Sequence, residues 1–560
     1  MIRVLFISFG SEWHDDVWNV LAIESLVGDL KGAFPNDVYI ETVRLYKHME
    51  IDTFIDSNTS ITDYDLIGCS IEIGSHNLLD HFLIRLSENH YSNVLVLGGI
   101  LATYAYDYLI TLDSVQELKP VFIISEGEIA LRHLVQCLLE NNFDPFSYEP
   151  NTYQYDTAKG YYIMNSSESI DLESLVYSPL PIVYAEREYK IRIIQTSRNC
   201  IFGCTYCSQG PKKKWRSFSF ERIKNNIEIF IKNGCNEFEF VDDEFFGGNL
   251  AYNINRAWTI CDIIESLAKK HDCDLKFRIF TNPHIITSKN TGDNGISFVD
   301  ILNRLKKLGL CRVYLGVESG AANQRKRYNR RDTLEECSNS IYLLESLGIE
   351  IDVGFIMFDP EVTLNDISEN IDFIQHNNIL KYNTWPLRPM ILTALTPMYQ
   401  RCKSLGLITK RNEYNVASFE YVFLHSDVSM IFERISKVAD STAKVFYIIK
   451  YIYKNNFYEE HFQKEVRTIS GFLEQNTTIN FDCIKEMISL FREGNGTEVE
   501  LNKTTLTAFI REYDLISSIE QKMRSYKLLS DKHGKLASAI MQAKEQIDIE
   551  CRTLKEGVFI

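Results

Sequence analysis

Thr196-Ser-Arg-Asn-Cys-Ile-Phe-Gly-Cys-Thr-Tyr-Cys-Ser-Gln-Gly210 places Cys200, Cys204 and Cys207 in one short loop. Thiolates this close together can hold three corners of an iron–sulfur cube, for which cysteine is the normal ligand. No fourth cysteine follows at a matching spacing. One iron of such a cube would stay open to a substrate or second cofactor, as suits chemistry rather than electron carriage. The competing reading is zinc, with Cys235 or a histidine as fourth ligand, or buried structural thiols. Zinc sites of this kind are usually built from paired knuckles, and no second knuckle follows. Before the motif stands an apolar run, Ile191-Arg-Ile-Ile194, which reads as a strand ending in a loop. That placement suits a ligand loop at the C-terminal mouth of a βα barrel.

Composition narrows the class. A chain of 560 residues exceeds one core and should divide into about three or four domains. With 45% hydrophobic and 24% charged residues it reads as a globular protein. The net charge of −17 argues against general binding to nucleic acid. Thirteen cysteines without a signal-peptide pattern point to a reducing compartment, and hence to the cytoplasm. The apolar stretch Val445-Phe-Tyr-Ile-Ile449 is cut by Lys450 and is too short to span a bilayer, so no membrane role is expected.

Working outward, residues 1–145 alternate apolar strands (4–8, 38–43, 66–70, 94–97 and 121–124) with helical spacing. This predicts a doubly wound, mostly parallel, Rossmann-like sheet whose ligand crevice lies at the carboxyl ends of its strands. Residues 146–190 show little periodicity and read as a surface connector. Strand–helix alternation resumes over 191–407 at the pace of a βα barrel. The region 408–560 reads as mainly helical.

Two further segments of the barrel span carry chemistry-bearing residues. Glu237-Phe-Glu-Phe-Val-Asp-Asp-Glu-Phe-Phe246 alternates apolar residues and ends in Asp242, Asp243 and Glu244 at a strand terminus, where a solvated acidic turn is the plain alternative. Leu305-Lys-Lys-Leu-Gly-Leu-Cys-Arg-Val-Tyr-Leu-Gly-Val-Glu-Ser-Gly320 reads as a helix end, a glycine cap, a strand and a tight turn. Glu318 in that turn would be costly to bury without a cationic or hydroxyl partner. Arg325, Arg327, Arg330 and Arg331 follow and make either a forked carboxylate clamp or a basic helix face. Thr363 in Val353-Gly-Phe-Ile-Met-Phe-Asp-Pro-Glu-Val-Thr-Leu-Asn-Asp366 is a helix N-cap candidate.

The spacing C-x3-C-x2-C, with Tyr206 before the last cysteine, resembles the signature of the radical S-adenosylmethionine (radical SAM) superfamily. The acidic strand end, Gly316-Val-Glu-Ser-Gly320, the 353–366 segment and Ala394-Leu-Thr-Pro-Met-Tyr399 are similar to ordered motifs of its partial, TIM-like βα barrel. The last departs from the family, which normally has Gly-Thr-Pro where this chain has Leu395-Thr-Pro397. The resemblance implies a 4Fe-4S cluster on Cys200, Cys204 and Cys207. It implies SAM held by Tyr206, by Asp242, Asp243 and Glu244 as a group, by Glu318 and Ser319, and by Arg325 or Arg330 as carboxylate clamp. Such clusters pass one electron to SAM, giving methionine and a 5′-deoxyadenosyl radical. An external one-electron donor such as flavodoxin or ferredoxin is implied as partner.

The order Asp65-Leu-Ile-Gly-Cys-Ser70, Val94-Leu-Val-Leu-Gly-Gly99 and Ser125-Glu-Gly-Glu128 resembles cobalamin (B12)-binding domains that precede radical SAM barrels. Ser70, Gly98 and Gly99 at strand ends would let a corrin approach the backbone. Domains that ligate cobalt through histidine carry Asp-x-His-x-x-Gly; here Glu12-Trp-His-Asp-Asp-Val17 has the histidine alone. His14 and His76 therefore read as loop residues, and cobalamin is expected without a histidine on cobalt. The implied function is a cobalamin-dependent radical SAM enzyme that methylates, or rearranges, an unactivated carbon of a small-molecule or peptide substrate. The alternatives are a radical SAM enzyme whose first domain holds substrate or a partner instead, and an iron–sulfur electron-transfer or regulatory protein.

Overall fold

The computed structural model describes residues 1–10, 21–57, 61–141, 151–156, 159–164, 169–175, 192–209, 214–247, 250–292, 295–381, 387–456, 463–523 and 533–558. The chain forms two compact units. The first comprises Met1–Tyr314, Leu344–Ile349 and Ile391–Tyr421; the second comprises Leu315–Leu343, Glu350–Met390 and Val422–Ile560.

The first unit begins with strands β1 (Ile2–Phe9), β2 (Val38–Leu45), β3 (Leu66–Ser70), β4 (Val94–Gly98) and β5 (Val121–Ile123). They pair in parallel in the order β2-β1-β3-β4-β5. Period-two alternation divides their side chains between two cores. Val4, Phe6, Leu66, Val96 and Val121 join helices Leu21–Ala33 and Glu128–Leu139 on one face, while Leu5, Ile7, Ile67, Leu97 and Phe122 join His76–Glu88 on the other. Apolar residues on both faces are what a buried parallel sheet requires. The order reverses between β1 and β3, the point at which such sheets bind ligands beyond their strand ends.

The span read as a surface connector is partly sheet. β6 (Thr152–Asp156) pairs antiparallel with β5, and β7 (Tyr161–Met164) antiparallel with β6. Tyr153 stacks on Tyr106 at 4.2 Å, and Tyr162 meets Phe122 edge-on. Tyrosines at alternate positions thus bury rings against the sheet edge, although the strands are too polar and short to stand out in the sequence.

Next come β8 (Arg192–Ile194), the short antiparallel pair β9 (Ser197–Arg198) and β10 (Arg216–Ser217), then β11 (Glu237–Phe240) and β12 (Lys276–Thr281). β8, β11 and β12 are parallel, with helices Phe220–Lys232 and Leu250–His271 as crossovers. No closed barrel forms among the described residues. Helix Phe298–Lys307 opens with a Ser297–Asp300 capping box. Behind it Gly309 sits at φ +113, where a Cβ would lie 1.8 Å from the Leu275 carbonyl oxygen. The glycine cap expected there is therefore enforced by backbone contact. β13 (Leu310–Glu318) begins in this unit and ends in the other. Later residues add the antiparallel sheet β15 (Leu392–Thr393), β16 (Ile408–Arg411) and β17 (Ser418–Tyr421), and beside β17 Val416 and Ala417 complete the core under the first sheet.

The second unit holds the end of β13, β14 (Glu350–Phe355), helices Ala322–Arg327 and Leu364–His376, and four long helices: Ser426–Asn456, Gln463–Arg492, Glu498–Met523 and His533–Val558. Thr363 caps Leu364–His376 in a reciprocal box with Asp366, as its position predicts. Val445, Phe446 and Ile449 are buried while Tyr447 is half exposed, so the apolar stretch found by sequence is one face of a bundle helix. No described helix is long and apolar enough to cross a membrane.

Candidate functional site

The cysteine loop starts where β9 ends. Asn199 takes φ +68, in the left-handed region that asparagine tolerates, and so turns the chain into the loop. Cys204 is buried and Cys200 and Cys207 half-buried. The Cys207 amide donates to the Cys204 carbonyl at 3.2 Å, and the Phe202 amide lies 3.5 Å from Cys200 Sγ. Two other segments grip the loop: the Met398 amide donates to the Thr205 carbonyl at 2.9 Å, and the Tyr104 hydroxyl to the Ser208 carbonyl at 2.8 Å. Tyr206, between them, is half-buried. Burial, with the Glu244 carboxylate next, pushes the Cys200 thiol up in pKa. No trio of His, Cys, Asp or Glu converges on a single-ion site among the described residues. Each thiolate of a cube bonds a different iron, so its ligands need not converge as those of one ion do.

The structure separates the three carboxylates that sequence left as a group. Asp242 is buried; its Oδ1 accepts from the Thr196 amide at 2.9 Å and the Ser197 hydroxyl at 2.6 Å. Burial raises its pKa against the pull of Arg256, whose guanidinium donates to the Phe245 carbonyl and to Thr196. Glu244 is also buried, accepts from the Thr281 hydroxyl at 2.7 Å, and is pushed up to about 8 by burial. Asp243 alone of the three lines the cavity described below, and desolvation, with the charge of Asp242 second, raises its pKa to about 6. All three follow the end of β11 at Phe240, in a bend that buries Asp242 and Glu244.

A cavity of about 920 Å³ lies within the first unit. It is lined by Ser70, Gly98 and Gly99, at the carboxyl ends of β3 and β4, and by Cys207, Ser208 and Asp243. Gly99 has φ +92, and a Cβ there would lie 2.8 Å from the Ile71 amide nitrogen, so only glycine lets the wall run this close. Leu395, Thr396 and Pro397 also reach the cavity. Leu395 adopts φ +66, the conformation for which the family's usual glycine is suited. His76 is buried in an edge contact with Tyr108 and does not line the cavity. His14 lies outside the described residues.

Glu318, Ser319, Arg325 and Arg330 belong to the second unit. Glu318 has φ +68, a strained backbone of the sort concentrated at functional turns. Ser319 is fully buried, 2.7 Å from Gln324 Oε1 and 3.0 Å from Asn370 Oδ1. Arg325 donates to the carbonyls of Val317 (3.0 Å) and Ser319 (2.7 Å) and pairs with Asp332 at 2.8 Å. Arg330 donates to the Gly316 carbonyl and also pairs with Asp332 at 2.8 Å. These contacts bracket the strained turn with protein groups. Arg325 and Arg330 thus hold the turn through protein carbonyls and Asp332.

Sequence reading did not pair Glu126, Glu128 and Arg198, which line the cavity, with one another or with Arg216. Glu128 accepts from Arg198 Nη2 at 2.5 Å and Ser25 Oγ at 2.8 Å; Glu126 accepts from Arg216 Nη1 at 3.0 Å and lies 3.6 Å from Arg198. Burial alone would raise the Glu128 pKa, but Arg198 overrides it and holds the carboxyl at about 2. The available signal was two carboxylates in a glycine turn at a strand end; their partners are 70 and 90 residues away.

A protein-family model, the Radical SAM superfamily, matches residues 194–374. Among curated proteins the chain is 27% identical over 352 residues to 4'-phospho-dehydrooxetanocin synthase of Priestia megaterium. That match covers 59% of this chain and 46% of the relative, so the chain spans about half of its length. Among solved structures, OxsB, a cobalamin-dependent S-adenosylmethionine radical enzyme with aqua-cobalamin and S-adenosylmethionine bound, superposes with TM-score 0.81 at 17% identity, covering 98% of this chain and 84% of that one. TsrM, a radical S-adenosylmethionine methyltransferase from Kitasatospora setae, superposes with TM-score 0.52 at 14% identity, covering 67% and 71%.

Proposed function

We infer that this chain, a radical SAM protein by its domain at residues 194–374, is a cobalamin-dependent enzyme that cleaves S-adenosylmethionine reductively and methylates or rearranges an unactivated carbon. The observation that carries this reading is the cavity of about 920 Å³, lined both by the carboxyl ends of β3 and β4 and by Cys207 and Asp243. Its volume is at the upper end for small-molecule sites, which suits a macrocycle. OxsB is a cobalamin-dependent radical enzyme and TsrM a radical methyltransferase, and likeness to both favours the same class here.

In this reading Cys200, Cys204 and Cys207 hold a 4Fe-4S cluster, and Ser70, Gly98 and Gly99 bound a corrin. When bound, the cluster supplies the electron that splits the sulfonium bond, and cobalamin supplies methyl-transfer or rearrangement chemistry. The chain orients and shields. Asp243 offers a carboxylate to the methionine amino group, and Tyr206 packs within the cluster loop. No histidine is assigned to cobalt in this scheme: His76 does not line the cavity, and the segment around His14 lacks the rest of the Asp-x-His-x-x-Gly pattern. A flavodoxin- or ferredoxin-type donor provides the electron.

The test is anaerobic reconstitution with iron, sulfide and hydroxocobalamin, followed by desalting, an absorbance spectrum and assay with SAM and a reductant. Retained corrin with 5′-deoxyadenosine formed supports the proposal. 5′-Deoxyadenosine without corrin transfers the first domain to substrate or partner binding. An intact cluster that leaves SAM uncleaved overturns the enzyme reading.

A further inference from the structure

Glu126, Glu128, Arg198 and Arg216 form one connected set of charges, three of them on the cavity wall. β9 and β10 are in register with Arg198 directly opposite Arg216, a like-charge pairing that is unfavourable by itself. Glu126 and Glu128 compensate both guanidiniums, and all four side chains are largely buried, at 12% and 16% exposure for the arginines and 10% and 5% for the glutamates. Burying two ion pairs costs desolvation that an apolar cluster would avoid. What the charges add over apolar packing is direction, since a guanidinium fork fixes both distance and orientation.

That direction is aimed at the cysteine loop. Arg198 stands two residues before Cys200, and the left-handed Asn199 between them transmits its placement. Both carboxylates come from one turn of the first domain, Ser125-Glu-Gly-Glu128, and this turn is itself constrained. Ser125 has φ +61, its amide donates to Thr103 Oγ1 at 2.9 Å, and a Cβ on Gly127 would lie 2.9 Å from Ile123 Cγ2. The Tyr104–Ser208 hydrogen bond fastens the far end of the loop to the same domain.

We propose that Glu126 and Glu128 are positioning residues that set the cysteine loop from the first domain through Arg198 and Arg216. The inference rests on the reading that Cys200, Cys204 and Cys207 hold a cluster. Both glutamates also line the cavity, but in this scheme each acts on the cysteine loop through an arginine. The first domain thus serves as the template on which the cluster loop is held, besides forming one wall of the cavity.

The test compares the full chain carrying Glu128→Gln, Glu128→Asp or Glu126→Gln with wild type. Asp29→Asn serves as control, because it breaks another ion pair of the same domain, with Arg132 at 2.9 Å. Iron and sulfide content, the electron paramagnetic resonance spectrum of the reduced cluster with and without SAM, and the melting temperature are read together. The expected result is a cluster in Glu128→Gln whose spectral response to SAM is altered, with cleavage lowered roughly tenfold to a hundredfold, as a displacement of about 1 Å produces. Glu128→Asp should be intermediate, and Asp29→Asn should lower the melting temperature while leaving the spectrum unchanged. Wild-type spectra and cleavage in all three glutamate variants would overturn the proposal. Should Glu128→Gln not fold, Glu126→Gln and Glu128→Asp decide it alone. Wild type that holds no iron would overturn the cluster reading, and this inference with it.

Discussion

The hydroxyl of Tyr104, on the short helix after β4, donates to the backbone carbonyl of Ser208, the residue after Cys207, at 2.8 Å. Fold and candidate chemistry meet in that bond: a strand-end helix of the first domain holds the cysteine loop. Tyr104→Phe should lower stability by about 0.5–1.5 kcal/mol, the usual net worth of one hydrogen bond. Because the bond is local to the loop, the same variant should lose iron faster when challenged with a chelator. A chelation time course beside a denaturation curve checks both, and unchanged iron loss would mean the bond is ordinary packing.

Asp242 and Asp243 are adjacent but should fail in opposite ways. Asp242→Ala strands the buried donors of Thr196 and Ser197 and the Arg256 charge, so a loss of about 3–5 kcal/mol is expected. Asp243→Asn, on the cavity wall, removes a charge that desolvation and Asp242 disfavour, so it should not destabilise the fold at neutral pH, while SAM binding weakens. Denaturant titrations and SAM binding to the reconstituted protein separate the two. Equal stability losses would contradict the assignment.

Glu512 gives the helical bundle a pH dependence. It is fully buried, accepts from the Asn476 amide at 2.8 Å and the Asn480 amide at 3.1 Å, and burial pushes it up to about 8 from 4.5. The folded state therefore keeps a proton that the unfolded state releases. Stability from this group is fully present below pH 4.5 and is lost as pH rises towards about 8. Glu512→Gln should flatten that slope and stabilise the protein at pH 8 by a few kcal/mol at most, on the order of 2–4. Denaturation at pH 5, 6.5 and 8 measures it; parallel wild-type and variant profiles would refute the shift.

Leu395 occupies φ +66 while half exposed at the cavity. Leu395→Gly relieves steric strain of about 1 kcal/mol but adds a comparable unfolded-state entropy, so the melting temperature should hardly move. Leu395→Val adds β-branching in a conformation that resists it and should destabilise by about 1–3 kcal/mol. Thermal melts of both variants check the contrast, and a stable valine variant would show that the turn relaxes.

Local patterns in the sequence determined a good deal about this protein. The apolar alternation of β1–β5, the Thr363 cap, the glycine at 309 and the cysteine loop after a strand are set by neighbours a few positions apart, and periodicity reads such neighbours directly. Polar strands such as β6 and β7 escaped notice because their pattern acquires meaning only against Phe122 and Tyr106. Tertiary structure decided which of Asp242, Asp243 and Glu244 faces the cavity, because Thr196, Ser197 and Thr281 from distant segments take up Asp242 and Glu244. It also turned Arg325 and Arg330 onto the backbone of their own strand end, and it joined Arg198 to Glu128 across 70 residues. A charge in a sequence announces only that it needs a partner when buried; which partner it finds depends on how distant segments close on one another.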